Sequence, residues 1–129
     1  MKLKTKEVKA LRLDLLKAQG YKCALCSLDL TEEKAVLDHS HKSGAIRAVL
    51  HRSCNSLLGK VENNAPRYGV NLEAFTQGLG QFLALHSTPQ SDLIHPSHFT
   101  LEEKKARTKV RLKRKAKRIL TKKSPVTDK

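Results

Sequence analysis

The stretch that decides the fold runs from residue 23 to residue 59 and contains Cys-Ala-Leu-Cys at 23–26, Leu-Asp-His-Ser-His at 37–41 and His-Arg-Ser-Cys-Asn at 51–55. It holds all three cysteines and three of the six histidines of the chain. Zinc binds thiolate and imidazole groups tetrahedrally, and a closely spaced pair of them in a tight turn can face the same ion. We therefore predict a zinc site with two ligand pairs, Cys23 with Cys26 and His51 with Cys54.

Other uses of these residues stay open. A Cys-x-x-Cys motif on its own also suits a redox site, free thiols can be ordinary buried residues, and His51 at the end of a strand can be a surface residue. An odd number of cysteines argues against a framework of disulfides. The second ligand pair favours zinc, and four protein ligands make such a site structural rather than catalytic.

The residues around the two pairs predict a hairpin followed by a helix. Residues 21–30 are too few for a helix and suit a tight knuckle around the first pair. Residues 35–38 and 45–50 have the composition of short strands, and the polar loop 40–44 ends in glycine, which suits a hairpin. From Ser53 or Cys54 the apolar spacing predicts a helix to about Glu62, ending at residues 63–66. The order is strand, strand, helix, abbreviated ββα.

A second cluster combines acid, base and oxygen-donor groups: Asp38, His39, His41 and Asn55. Asp38 and Asn55 offer the oxygen ligands that Mg²⁺ or Mn²⁺ prefers. Imidazole titrates near neutral pH, so a neutral His39 can take a proton from an attacking water. A metal ion beside them would stabilise charge on a phosphate, and the cluster therefore predicts phosphodiester hydrolysis. The alternative is a polar turn without chemistry.

Helices are predicted on both sides of this block. Residues 4–19 form a helix closed by Gly20, with a basic outer face that includes Arg12 and an apolar stripe that should pack on the central block: Val8, Leu11, Leu15 and Ala18. Residues 67–69 have the composition of a linker. Asn71 can cap a helix over 71–86 whose apolar stripe suits core packing or a homodimer interface: Leu72, Phe75, Leu79, Phe82 and Leu83.

A third helix is predicted near the end of the chain. Thr100 and Glu103 have the spacing of a capping box, and the helix should continue to about Leu120, with residues 121–129 disordered. Its circumference is mostly basic, which a phosphate backbone would neutralise. With Arg47, its basic residues are the predicted DNA contacts: Lys104, Lys105, Arg107, Lys109, Arg111, Lys113, Arg114, Lys115, Lys117 and Arg118. The alternative is a solvated basic tail.

The overall charge points to a polyanionic partner. The 129 residues carry 26 Lys and Arg against 12 Asp and Glu, a formal charge of +14. Nucleic acid is the first expectation, an anionic membrane surface the second and a ribosomal or chromatin-like scaffold the third. The chain has no long apolar run and its first residues do not resemble a secretory signal, so we expect no membrane span and an intracellular, reducing setting.

These motifs resemble a known family. Cys-x-x-Cys, Asp-His-x-His, Gly-x-Ile-Arg, and a ligand pair followed by Asn and later by Leu-Gly are similar to the phage recombination endonuclease VII family of His-Me finger (HNH-like) nucleases. The resemblance covers residues 21–59, and more weakly the 71–86 helix and residues 94–96. It implies that Asp38 and Asn55 bind the catalytic divalent metal, that His39 is the general base and that His41 assists at the phosphate or metal.

The sequence also departs from this family. The family commonly has Cys at the position of His51, which changes the zinc ligand set but not the number of ligands. In the junction-resolving member a Glu follows the Asn by one helical turn, where this chain has Leu58. The resemblance therefore implies nuclease chemistry more directly than junction resolution.

We therefore expect an α+β fold, namely a zinc-stabilised ββα-metal (His-Me finger) core with flanking helices and a basic C-terminal helix. The expected regions are an N-terminal helix (1–20), a nuclease core (21–64), a helix and linker (65–99) and a DNA-binding helix and tail (100–129). The expected activity is that of a metal-dependent DNA endonuclease, of a nicking or homing type encoded by a phage and acting in the bacterial cytoplasm. The alternatives are a resolvase of branched DNA and a non-catalytic, zinc-containing nucleic-acid-binding protein.

Overall fold

The fold consists of a two-stranded sheet and four helices within residues 1–123, the part of the chain that the computed structural model describes. In chain order the elements are α1 (Thr5–Ala18), β1 (Ala35–His39), β2 (Ile46–His51), α2 (Arg52–Arg67), α3 (Leu72–Leu85) and α4 (Leu101–Lys122). The chain divides into two units, Met1–Leu85 and His86–Lys129. The predicted α+β class and the ββα order are confirmed.

Helix α1 ends just before Gly20, as the sequence predicted. Gly20 has a φ of +64°, its N–H donates to the carbonyl of Lys17 (3.0 Å), and the N–H of Tyr21 donates to the carbonyl of Leu16 (3.0 Å). These two bonds form a Schellman motif, which satisfies carbonyls that the end of a helix leaves without partners. Glycine adopts this φ at no steric cost, so Gly20 fixes the direction in which the chain enters the knuckle.

The packed face of α1 is rotated from the predicted stripe. Leu16 is fully buried and Leu15 packs beside it, whereas Val8 and Ala18 are exposed. Arg12, predicted on the outer face, turns inward and donates from an Nη atom to the carbonyl of Ala35 at 3.0 Å. Periodicity of apolar residues missed this face because a polar side chain that pairs with strand backbone can lie on it.

Strands β1 and β2 form the predicted antiparallel hairpin. Ala35 pairs with His51 and Leu37 with Val49, but His39 pairs with Ile46, so β2 has one more residue than β1 between these pairs. This extra residue is a β-bulge, which changes the direction of side chains near it. It lies opposite Asp38, at the point where the site residues begin.

The core of the first unit is small. The buried apolar residues that cluster together are Leu16, Cys23, Leu30, Ala35, Val49 and Leu50. The side chain of Gln19 bonds to β2 as the backbone of a neighbouring strand would. Its amide donates to the carbonyl of Val49 and accepts from the N–H of Val49, each at 2.9 Å. A core this small is typical of domains that also depend on a metal, and one of its members, Cys23, is a predicted zinc ligand.

Helix α2 is longer than predicted. It continues through residues 63–66 and ends after Arg67, so the predicted end near Glu62 is wrong. Pro66 lies in the last turn, where its missing N–H removes a single intrahelical bond, and the buried side chain of Ala65 holds that turn against the fold. Gly69 (φ +65°) then caps the helix, since its N–H and that of Val70 donate to the carbonyls of Pro66 (3.1 Å) and Ala65 (2.9 Å). Residues 67–69 are thus the end and cap of α2 rather than a linker.

Helix α3 packs on α2 but leaves its apolar stripe exposed. Asn71 caps it as predicted, with Oδ1 accepting from the N–H of Ala74 at 2.9 Å. None of its residues is buried, and Phe75 and Leu83 are 45% and 59% exposed. The prediction that this stripe packs in a core is therefore wrong for the described residues. The predicted homodimer interface stays a prediction.

Helix α4 starts with the predicted capping box. Thr100 Oγ1 accepts from the N–H of Glu103 (3.2 Å), and the carboxylate of Glu103 accepts from the N–H of Thr100 (2.7 Å). The helix includes Thr121 and Lys122, which were expected to be disordered; the same expectation for residues 124–129 falls outside the described residues. None of the helices described is long and apolar enough to cross a bilayer.

Candidate metal centre and active site

The four predicted zinc ligands lie together. The ligand atoms of Cys23, Cys26, His51 and Cys54 are all within 4.8 Å of one another. His51 Nδ1 is 3.4 Å from the sulfur of Cys26 and 3.8 Å from that of Cys54. Tetrahedral zinc places its sulfur and nitrogen ligands about 3.5–3.8 Å apart. The donor set and its spacing therefore fit a structural zinc ion, and the ring of His51 lies with the three sulfurs at a position where it could be the fourth ligand.

A hydrogen bond orients the histidine ligand. His51 Nε2 lies 2.8 Å from the carbonyl oxygen of Asp29, so this nitrogen carries the proton and donates it to the carbonyl. Nδ1, on the sulfur side, then keeps its lone pair for a metal. Asp29 belongs to the knuckle and His51 to the end of β2, so this bond also fixes the two ligand pairs relative to each other.

The thiols of Cys23 and Cys54 differ in how readily they ionise. Burial opposes ionisation of Cys23, but hydrogen bonds from the backbone of Cys26, His51 and Leu25 outweigh it and lower the pKa of the Cys23 thiol to about 6. Burial, followed by the neighbouring sulfurs of Cys26 and Cys23, raises the pKa of Cys54 to about 11. Thiolates this close repel one another, and a central cation removes that repulsion by stabilising the ionised form.

A cavity of about 470 Å³ lies between the hairpin and α2. Its lining includes three of the four residues of the predicted acid/base cluster, Asp38, His41 and Asn55. Asp38 is only 4% exposed, and Asn55 directly follows the zinc ligand Cys54 in the first turn of α2. Because α2 begins at the Cys/His cluster, that cluster sets the distance from Asn55 to the hairpin.

His39 lies at the edge of this cavity rather than in its lining. It is the last residue of β1 and is exposed. Its ring stands 5.1 Å from the ring of His41, which does line the cavity. His39 therefore follows the buried Asp38 directly in the chain and lies beside His41, on the solvent side of the cavity.

Arg47, predicted to contact DNA, pairs with two carboxylates of the same cavity. Its Nε donates to Asp38 Oδ2 at 2.6 Å, and its Nη atoms donate to Glu62 at 2.9 and 3.1 Å. The bulge in β2 places Arg47 beside Asp38. Glu62 first, and Asp38 after it, raise the pKa of Arg47 above its ordinary value, while Arg47 holds the pKa of Glu62 below its usual range.

Sequence reasoning missed Glu62. The resemblance directed attention to the position one helical turn after Asn55, which is Leu58, whereas the carboxylate in the cavity comes two turns after it. Seven residues are close to two turns of an α-helix, so Asn55 and Glu62 share a face. The seven-residue spacing could therefore have identified Glu62 from the sequence. Gly59 lies between Asn55 and Glu62 on the same face, and because it has no side chain it leaves the cavity open.

Helix α4, in the second unit, carries its four arginines on one face and three of its seven lysines on the opposite face. Arg107, Arg111, Arg114 and Arg118 follow a spacing of four, three and four residues, which confines them to an arc of about 60° on the helix. They line an open groove together with Phe99, whose ring lies 4.1 Å below the guanidinium of Arg107. On the opposite side lie Lys105, Lys109 and Lys113. We call these the arginine face and the lysine face.

Comparison with known proteins assigns the family. The family model described as recombination endonuclease VII matches residues 2–75, which is more than half of the chain and includes the zinc ligands, the hairpin and α2. A comparison with curated proteins gave no match. The matched range ends before α4, so the arginine face lies outside the family region. The chain belongs to the recombination endonuclease VII family.

Proposed function

We propose that the protein is a divalent-metal-dependent DNA endonuclease of the His-Me finger (HNH) type. The observation that carries this proposal is the cavity lined by Asp38, His41 and Asn55 beside a zinc-type ligand cluster, in a chain of an endonuclease family. Nuclease chemistry needs an oxygen-rich site for a metal and a base for water. The cavity and its edge contain both.

The donor set of the cavity fits Mg²⁺ or Mn²⁺. Asp38, Asn55 and Glu62 present only oxygen ligands on this surface, which these ions prefer over nitrogen and sulfur. Each carboxylate oxygen of Asp38 accepts one hydrogen bond from Arg47 and keeps a second lone pair. Bound there, a divalent cation would supply stabilisation of the charge that develops on the scissile phosphate and the leaving oxygen.

The remaining steps belong to the side chains. His39, at the solvent edge, accepts a proton from the attacking water on a free imidazole nitrogen. His41, whose ring faces that of His39, contacts the phosphate or helps to hold the metal. Lys60, which also lines the cavity, adds positive charge for the DNA backbone.

Substrate binding is the proposed role of α4. Duplex DNA is the best fit, because its major groove admits an α-helix and arginine forms paired hydrogen bonds with phosphates and base edges. The arginine face would point into the DNA, and the lysines would reach the flanking phosphates. The alternative, a solvated basic helix, predicts no difference between the two faces.

Two charge-matched double variants separate these possibilities. Arg111→Gln with Arg114→Gln should weaken duplex binding by about tenfold or more, whereas Lys109→Gln with Lys113→Gln should weaken it much less. Both remove two charges from the same helix, and fluorescence anisotropy at several salt concentrations measures both. Arg111→Lys with Arg114→Lys keeps the charge and tests the planar guanidinium. Equal losses for the two faces would contradict the proposed orientation.

A resolvase of branched DNA is the second candidate, favoured by the recombination endonuclease VII match. It requires two active sites, and the exposed apolar stripe of α3 supports a homodimer through the 71–86 helix. Cleavage of a four-way junction and of the matching duplex in Mg²⁺ distinguishes the candidates. Preference for the junction indicates a resolvase, equal cutting or nicking indicates a general or homing-type endonuclease, and binding without any cutting indicates a non-catalytic protein.

A further inference from the structure

The guanidinium of Arg47 lies between two carboxylates. One edge, Nε and an Nη atom, donates to both oxygens of Asp38 at 2.6 and 3.2 Å. The other edge donates to both oxygens of Glu62 at 2.9 and 3.1 Å. Four of the five N–H groups of an arginine are used by this double contact. Asp38 is buried, whereas the Arg47 side chain is 36% exposed, so the arginine has a path to solvent that Asp38 lacks.

This arrangement already neutralises part of the site. Asp38 and Glu62 together carry two negative charges, and Arg47 compensates one of them at hydrogen-bond distance. A divalent cation on Asp38 would stand close to the guanidinium and be repelled by it. A buried carboxylate needs a cationic partner, and here either a metal ion or Arg47 can be that partner.

We propose that Arg47 is an exchangeable counter-ion of Asp38, which leaves Asp38 when a divalent cation binds and then pairs with a DNA phosphate. The exchange conserves charge pairing: the Asp38–Arg47 pair opens, the carboxylate keeps a cation and the guanidinium gains an anion. Glu62 holds the second edge of Arg47, so it keeps the side chain beside the cavity during the exchange. In this role Glu62 is a positioning residue, because it acts through Arg47. The inference rests on the proposed function, because it uses Asp38 as a ligand of the metal.

The exchange makes metal and DNA binding cooperative. Without DNA, Arg47 competes with the metal for Asp38 and weakens metal binding. With DNA present, a phosphate draws Arg47 away, so the metal binds more tightly, and by linkage the metal must strengthen DNA binding by the same factor. A free enzyme therefore holds its metal weakly and a DNA-bound enzyme holds it well.

The test measures Mn²⁺ binding by electron paramagnetic resonance, on the zinc-loaded full chain and without DNA. Arg47→Gln should bind Mn²⁺ about tenfold more tightly than wild type, because the competing cation is gone. Arg47→Lys keeps the charge and should stay near wild type. Arg67→Gln is the matched control, since it removes one exposed positive charge from the same unit without touching Asp38. Unchanged or weaker Mn²⁺ binding by folded Arg47→Gln would overturn the proposal.

A second experiment begins with a protein that keeps Arg47, so its first result does not depend on the folding of Arg47→Gln. In a His39→Ala background, which prevents cutting, duplex DNA should tighten Mn²⁺ binding by about tenfold after subtraction of the ions bound by DNA alone. Adding Arg47→Gln should remove this gain. No effect of DNA on the affinity of the Arg47 protein would refute the exchange.

Asp38→Asn separates this proposal from the proposed function. If that variant binds Mn²⁺ as tightly as wild type, the metal does not bind at Asp38 and the active-site assignment itself fails. If Asp38→Asn loses Mn²⁺ while Arg47→Gln gains nothing, the site is correct and only the exchange is wrong. Circular dichroism of each variant verifies that the unit is folded.

Discussion

Replacing Cys23 with serine is expected to unfold the unit Met1–Leu85 and to release its zinc. Cys23 is both a core residue, 1% exposed, and one of the four predicted ligands. Structural zinc supplies roughly 10–16 kcal/mol of apparent binding free energy in small zinc domains, which is comparable to or larger than the net stability of about 5–15 kcal/mol of a typical domain. Zinc content by mass spectrometry and far-ultraviolet circular dichroism measure the two losses together.

The control for this variant is Leu25→Ser. Leu25 lies between two ligands of the same knuckle, but its side chain is 53% exposed and is no ligand. This protein should keep its zinc and its thermal transition. Chelation of zinc from wild type should reproduce the Cys23→Ser spectrum. A folded, zinc-free Cys23→Ser protein would show that the cluster is not a structural metal site.

Replacing His39 with alanine is expected to abolish most DNA cleavage without altering the fold. A general base contributes about 10²–10⁴-fold to rate, so cleavage of supercoiled plasmid in Mg²⁺ should fall by that factor. His39 is exposed at the end of β1 and contributes nothing to the buried core, so the zinc content, the thermal transition and DNA affinity should all stay at wild-type values.

A matched histidine variant and chemical rescue sharpen this result. His98→Ala removes an exposed histidine from the second unit and should leave cleavage unchanged. Added imidazole should restore part of the activity of His39→Ala, which a merely structural role would not allow. Full activity of His39→Ala would transfer the role of base to another group, with His41, whose ring lines the cavity, the first to test.

Local sequence signals determined much of this protein. The paired ligand spacings predicted the zinc cluster, the strand composition predicted the hairpin, and Gly20, Asn71 and the Thr100–Glu103 box marked helix ends that the structure confirms. Each of these signals acts over a few residues, because caps, turns and metal ligand pairs depend on neighbours in the chain.

Features that depend on contacts between distant residues were not predicted from the sequence. The end of α2 was misplaced because the buried Ala65 and the cap at Gly69 outweigh the local cost of Pro66. The inward face of α1 was misjudged because Arg12 bonds to strand backbone 23 residues away. In both cases packing between distant segments overrode a local preference.

The candidate active site also combines local signals with contacts between distant residues. The sequence alone identified the residue types that phosphodiester chemistry needs, Asp38, His39, His41 and Asn55. It also showed that Asn55 is adjacent to a predicted zinc ligand. Only the tertiary structure paired Arg47 with Asp38 and with Glu62, although the spacing of Glu62 from Asn55 was already present in the sequence. A bulge in β2 and the packing of α2 on the hairpin create that contact between residues 9 and 15 positions apart. A charge pair of this kind depends on three-dimensional distance, which residue spacing does not encode.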